Sequence, residues 1–271
     1  MADWRLNMGN ALNIVTWNVN SVRQRLPHVL AFLKDVSPDV LGLQEIKCLD
    51  EAFPRAEIEE LGYNVATHGQ KTFNGVALIT KAPCEVVRGL PGESGDEHAR
   101  YIEGVISLKR GALRVANVYF PNGNPAPGEK YDYKLRFMDR MIAHAKALLE
   151  LEEPLTIMGD YNIIAEPIDA AHPEQWTNDA LFLPQTRAKY RELLALGFTE
   201  AVRAVDDSPG LYTFWDYQAG AWQRGNGIRI DHHLLSPQAA DHLVAARIYK
   251  DMRAAEKASD HVPVGVTLNL D

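Results

Sequence analysis

Residues 155–162 read Leu155-Thr156-Ile157-Met158-Gly159-Asp160-Tyr161-Asn162, a short apolar run that breaks into a polar cluster. Such a run predicts a strand whose C-terminal end delivers an acid and an amide. Just upstream, Met138, Met141, Ile142, Ala145, Leu148 and Leu149 recur at helical spacing until Pro154 stops them. The first part of the chain has the same grammar. Over 12–19, Val15, Trp17 and Val19 alternate with Ile14, Thr16 and Asn18, which predicts a strand ending near Asn18. Leu26, Val29, Leu30 and Leu33 then predict an amphipathic helix closed by Ser37-Pro38, and 40–43 a buried strand delivering Gln44 and Glu45. Further strands are expected over 75–80, 102–108, 113–119, 228–235 and 262–268, and a helix over 188–196. Strand-helix-strand in each half predicts an α/β chain of two packed sheets with helices outside, and acids at strand ends that converge on one site.

The 271 residues are 46% apolar and 24% charged, the composition of an ordinary globular protein. The balance of basic and acidic residues, 28 − 36 = −8, gives no global attraction for nucleic acid. A DNA partner would be held by a local basic patch or through bound cations. Two cysteines, Cys48 and Cys84, offer neither a disulfide framework nor a CxxC pair, which fits a reducing cytosol. No apolar stretch approaches the roughly 20 residues of a membrane span, and residues 1–13 lack the apolar core of a secretion signal. A cytoplasmic location without membrane contact is expected. No linker or low-complexity tract interrupts the chain, so one domain is expected over 12–270, behind a short N-terminal extension, 1–11.

GxGxxG, GxxxxGK[ST], HExxH and GxSxG are all missing. Ser259-Asp260-His261 is not a serine triad, because neighbours on an extended segment point to opposite faces. What remains is a set of hard oxygen donors and an imidazole, Asn18, Glu45, Asp160, Asn162, Asp231, Asp260 and His261, the ligand chemistry of Mg²⁺ or Mn²⁺ rather than zinc. Singly, Glu45 could be a solvated strand end and Asp160 part of a turn. Asp231 interrupts the apolar Ile228-Arg229-Ile230 run, where a buried charge needs a partner, and a histidine is the natural one.

Together the motifs resemble the exonuclease III family of AP endonucleases. They are Thr16-Trp17-Asn18-Val19-Asn20, Leu43-Gln44-Glu45-Ile46-Lys47, Gly69-Gln70-Lys71, Tyr119-Phe120-Pro121-Asn122-Gly123, Met158-Gly159-Asp160-Tyr161-Asn162, Tyr212-Thr213-Phe214-Trp215, Arg229-Ile230-Asp231-His232 and Ser259-Asp260-His261-Val262-Pro263. They follow the family's order along nearly the whole chain. The resemblance implies the four-layer α/β sandwich of DNase I-like phosphodiesterases. It implies a principal metal ligand at Glu45, with Asn18 and Asp260 near the ion, Asp160 and Asn162 orienting the attacking water, and Asp231 orienting His261. Tyr119, Asn122 and Lys47 fall around the scissile phosphate. Phe214, Trp215, Ile228 and Ile230 fall where the family builds an apolar pocket for a baseless sugar, and Lys71, Arg100, Lys134 and Arg224 would grip phosphates. Two departures stand out: Asn20 replaces an acid that some relatives carry near the metal, and the loop 122–129 lacks the basic residue that some insert into DNA.

The implied activity is Mg²⁺-dependent cleavage of double-stranded DNA 5′ to abasic sites, with Mn²⁺ able to substitute. Removal of nucleotides and blocking groups from 3′ ends goes with it, in a monomeric bacterial-type repair enzyme near the nucleoid. The chemistry suits the residues, since a phosphodiester anion repels hydroxide until its charge is neutralised. Asp160 or His261 could take the water's proton, and sequence leaves that choice open. The alternatives are another phosphoesterase of the superfamily, such as a DNase I-like nuclease or small-substrate phosphatase, and a non-catalytic DNA-binding protein.

Overall fold

A computed structural model describes residues 11–109 and 111–270. Apart from Ala11, the expected N-terminal extension lies outside the described residues. In chain order the elements are β1 (Leu12–Asn18), α1 (Val22–Asp35), β2 (Val40–Gln44), α2 (Arg55–Glu59), β3 (Asn64–His68), β4 (Val76–Thr80), β5 (Cys84–Arg88), β6 (Tyr101–Ser107), β7 (Ala112–Tyr119) and α3 (Glu129–Leu149). Then come β8 (Leu155–Asp160), α4 (Pro184–Ala195), β9 (Thr199–Glu200), α5 (Ala201–Val205), β10 (Asp231–Leu235), α6 (Pro237–Ala240), β11 (Leu243–Ile248) and β12 (Val264–Leu268).

The strands form two mixed six-stranded sheets, ordered β11-β12-β1-β2-β4-β3 and β5-β6-β7-β8-β10-β9. Each contains one parallel pair, β1 with β2 and β7 with β8, joined through α1 and α3 respectively. These are the two strand-helix-strand units expected from sequence. The alternation in β1 also holds: Val15 and Trp17 pack under α1 with Val29, Phe32 and Leu33, while Ile14 faces the other sheet. The α3 stripe, with Phe137, Met141, Ala145 and Leu148, covers the outer face of β7 and β8 together with Tyr190 and Leu193 of α4. Between the sheets lies a third apolar layer, including Val40, Leu78, Val115 and Met158. Helix, sheet, sheet, helix makes the four layers.

Two expectations shift. The strand expected over 228–235 begins only at Asp231, because 228–230 leave the sheet and Ile228 instead bridges Ala170 and Phe214. The strands β3, β5, β9 and β11 were not expected; they are short or half-exposed edges whose formation rests on a neighbour's backbone donors. Among the described residues no helix is long and apolar enough to cross a membrane, and Cys48 and Cys84 are free thiols.

A polar clasp joins the sheets. The Asn117 amide on β7 donates to the Leu43 and Ala77 carbonyls of the opposite sheet, both at 2.9 Å, and its oxygen accepts from Gln44. Gly42 makes room for it, since a Cβ there would lie 2.9 Å from Asn117 Cγ and 2.5 Å from Met158 Cε. Met158 can yield, but Asn117 is held by three hydrogen bonds. Gly42→Ala is therefore expected to lower the unfolding free energy by about 1–3 kcal/mol, the usual cost of overpacking a tight core. A urea denaturation midpoint equal to wild type would show that the sheets have slack here.

Candidate active site

Strand register places three of the expected residues side by side. Tyr119 pairs with Asp160 across β7 and β8, and Asp160 with Asp231 across β8 and β10. Cross-strand partners point to the same face, so a phenol and two carboxylates line one end of the cleft between the sheets. Gly159 makes this possible: a Cβ there would overlap the Val118 carbonyl oxygen, so only glycine lets β8 approach β7 at this point.

The opposite sheet contributes Asn18 from the end of β1 and Glu45 just past β2. Glu45 and Asn162 both sit in the left-handed backbone region, with φ 51° and 50°, unusual for residues other than glycine. The turn at Glu45 is held from both sides, Ser21 N–H donating to its carbonyl at 2.8 Å and Ile46 N–H to Gly75 at 3.1 Å. At Asn162 the N–H donates to Asp160 Oδ1 at 2.8 Å and the amide reaches the Phe120 carbonyl at 3.0 Å. Strained backbone of this kind persists where its surroundings over-determine it, often at functional sites.

The Asn18 amide links the sheets, donating to Glu45 Oε1 and to Asp160 Oδ2, each at 2.9 Å. Tyr119 donates its hydroxyl to the same Glu45 oxygen at 2.9 Å, and Lys47 Nζ lies 2.7 Å from Glu45 Oε2. Burial opposes ionisation of Glu45, but the Lys47 ammonium and the Asn18 amide hold its pKa below the usual carboxylate value. His261 Nδ1 lies 2.9 Å from Asp231 Oδ2, which also accepts from the Thr213 hydroxyl at 2.6 Å. The other ring nitrogen, Nε2, is 3.7 Å from Asp160 Oδ2. Burial disfavours the imidazolium, yet the Asp231 and Asp160 carboxylates outweigh it and push the His261 pKa up. For Asp160, burial is the largest effect and raises the pKa, with Asp231 and Glu45 adding repulsion.

Asp160, Asp231 and His261 offer ligand atoms all within 4.8 Å of one another. Glu45, expected as the principal ligand, joins them through Asn18, and Asp260 accepts from the Asn20 amide at 3.1 Å. Oxygen donors dominate the group, and its carboxylates outnumber the nearby Lys47 ammonium and His261 ring. A hard divalent cation fits such a set.

Of the residues expected to contact DNA, Lys71 is exposed on the loop between β3 and β4, and the Arg100 guanidinium lies over the Tyr119 ring at 4.7 Å. Asn122 donates to Asn162 Oδ1 at 3.2 Å. Phe214 meets the His261 ring edge-on at 4.9 Å and, with Trp176, Arg224 and Ile228, lines a pocket of about 290 Å³. Ile230 is buried behind Ile228 among Ile164, Leu181 and Phe182. Two expectations are corrected. Lys134 does not reach the rim: it is fully buried and donates to the Asn122 and Asn162 carbonyls at 3.0 and 2.6 Å, with burial pushing its pKa down to about 7. Trp215 presents no open face, because it packs edge-on against Trp222 in a core cluster, and only its backbone touches the site, through Asp260.

Sequence reasoning missed Thr213, Asn20 as the link between Lys47 and Asp260, and Trp176 as a pocket wall. Thr213 had a signal, a hydroxyl between two aromatics; Trp176 sits in an irregular stretch and had none.

Residues 15–261 match the Endonuclease/Exonuclease/phosphatase family. Exodeoxyribonuclease III of Haemophilus influenzae is 36% identical over 263 residues, which cover 93% of this chain and 98% of that protein. An AP endonuclease from Archaeoglobus fulgidus superposes with a TM-score of 0.90 at 36% identity, over 96% of this chain and 100% of the other. A Neisseria 3′ phosphatase bound to a product DNA hairpin superposes with a TM-score of 0.91 at 35% identity, over 95% and 99%.

The ion pair between His261 and Asp231 gives a direct test. A carboxylate beside the ring raises its pKa, so the imidazolium survives to higher pH than in a free histidine. Replacing Asp231 by Asn should lower the His261 pKa by at least about one unit. Ring resonances in NMR titrations report this, and an unchanged midpoint would mean that Asp160 alone holds the charge.

Proposed function

The chain belongs to the endonuclease/exonuclease/phosphatase family, and from that membership and the site's geometry we propose a metal-dependent DNA-repair phosphodiesterase of the exonuclease III type. It cuts the backbone 5′ to abasic sites and also removes nucleotides and blocking groups from 3′ ends. One observation carries the reading: the Asn18 amide joins Glu45 of one sheet to Asp160 of the other, whose Oδ2 lies 3.7 Å from His261 Nε2 while His261 Nδ1 meets Asp231 at 2.9 Å.

In this reading Glu45 is the principal ligand of Mg²⁺ or Mn²⁺, with Asn18 and Asp260 near the ion, while Asp160 and Asn162 face the attacking water. The ion, when bound, would supply Lewis-acid neutralisation of the phosphate and of the charge that develops on the leaving 3′ oxygen as its bond to phosphorus breaks. Asp160 accepts the proton of the attacking water, since burial and neighbouring anions raise its basicity. His261, kept protonated by Asp231, donates to a non-bridging phosphate oxygen through Nε2. Tyr119 and the side chains of Asn122 and Asn162 are preorganised donors on the same side. Buried Lys134 fixes the two loops that carry these asparagines. The pocket beside Phe214 and Ile228 takes the sugar without its base, and Arg224 at its edge with Lys71 and Arg100 takes flanking phosphates. A protein of net charge −8 then binds DNA through this local rim and the cation. Residues 12–270 act as one domain, as a monomer in the cytoplasm near the nucleoid.

A duplex carrying one tetrahydrofuran site, beside the undamaged duplex, tests the reading. Cleavage 5′ to the lesion is expected with Mg²⁺ and none with EDTA. Glu45→Ala should lose about 10²-fold or more at low Mg²⁺ and recover partly at high Mg²⁺, because other ligands remain. Full activity in EDTA would overturn the metal assignment, and cleavage indifferent to the lesion would overturn the repair assignment.

A further inference from the structure

Three of this chain's own donors already engage the Glu45 carboxylate. Oε1 accepts from the Asn18 amide and the Tyr119 hydroxyl, each at 2.9 Å, and Oε2 faces the Lys47 ammonium at 2.7 Å. Lys47 Nζ also donates to Asn20 Oδ1 at 2.5 Å, and the Asn20 amide in turn holds Asp260. The ammonium thus pairs directly with Glu45 and reaches Asp260 only through Asn20, in the position of a monovalent counter-ion.

We propose that Lys47 competes with the divalent cation for Glu45, and that its displacement ties cation binding to the binding of a DNA phosphate. This rests on the reading above that Glu45 helps to hold the cation. A divalent ion on Oε2 would put two positive charges in contact, so the ammonium must leave as the ion arrives. The backbone is fixed, Lys47 N–H donating to the Asn74 carbonyl at 3.1 Å with φ 53°, whereas the side chain is held only at its ammonium and keeps 26% of its exposure at the cleft edge, which leaves it room to swing out. Lysine suits the role, being a compact point charge on a flexible four-carbon stem. Once displaced, it is a free cation on the rim beside the position proposed for the scissile phosphate. A phosphate that captures it lowers the competition at Glu45. By thermodynamic reciprocity, DNA then tightens the cation as much as the cation tightens DNA.

Mn²⁺ binding to the full chain, followed by electron paramagnetic resonance at fixed ionic strength, tests this without turnover. Lys47→Met should bind Mn²⁺ about three- to tenfold more tightly than wild type, the scale of a partly exposed charge pair. Lys47→Gln should behave alike and guards against a misfolded Met variant. Adding a duplex in which a methylene group replaces the 3′ oxygen of the linkage 5′ to the lesion, an anionic phosphonate that this reaction cannot break, should tighten Mn²⁺ in wild type and do so distinctly less in either variant. Equal or weaker Mn²⁺ binding in both variants would overturn the competition, and an equal DNA effect in all three proteins would overturn the coupling. No Mn²⁺ binding in any of them would instead overturn the underlying reading of a cation at Glu45.

Discussion

Glu45, Asp160 and Asp231 lie within reach of shared neighbours at one end of a cleft, and carboxylates buried so close together repel unless donors and positive charge are built around them. Much of the local structure follows from that constraint. Asn18 gives one N–H to each of two acids, Thr213 and His261 serve Asp231, and Tyr119 and Lys47 serve Glu45. These donors come from both sheets, so the electrostatic solution exists only when the sheets are packed face to face. The Asn117 clasp and the space left by Gly42 set that packing, and the same polar seam runs through Gln44, the residue before Glu45.

The two strand-helix-strand units meet the constraint in parallel ways. In each, the second strand of the parallel pair runs out into a turn with a left-handed residue, Glu45 in one and Asn162 in the other. The turn at Asn162 has a further support in Lys134, whose amine is wholly removed from water and bonded to backbone carbonyls rather than to an acid. Burying an unpaired charge is costly. The anions of the cleft, Asp160 among them, offset part of that cost, since Asp160 favours the charged form of Lys134. The buried lysine and the buried acids therefore lower each other's cost, and the donors of the site gain a fixed position from it.

Much of the architecture was legible because it is written in local periodicity. The alternation of Val15 and Trp17 with Ile14 and Thr16, and the stripe from Met138 to Leu149, each fix an element and the face it buries, and both recur in the folded chain. The edge strands β3, β5, β9 and β11 were not legible, since a half-exposed edge carries no strong pattern and forms on the donors of its neighbour. Residues 228–230 differ for the opposite reason: two isoleucines give them the look of a strand, but Ile228 bridges Phe214 and Ala170 and Arg229 turns to Asp169 and Glu200 instead.

The sequence alone determined which acids and amides end the strands, because an acid that interrupts or closes an apolar run is visible without coordinates. Tertiary structure decided their partners, since the pairs are far apart in the chain: Asn18 with Asp160, Tyr119 with Glu45, Thr213 with Asp231. It also decided what became of the long amphipathic side chains. Lys134 and Trp215 have the composition of rim residues, yet both are interior, whereas Phe214, next in sequence to Trp215, lines the pocket. Burial of a lysine or a tryptophan depends on whether distant segments supply acceptors and packing at that spot, and that is a property of the assembled layers rather than of any local stretch.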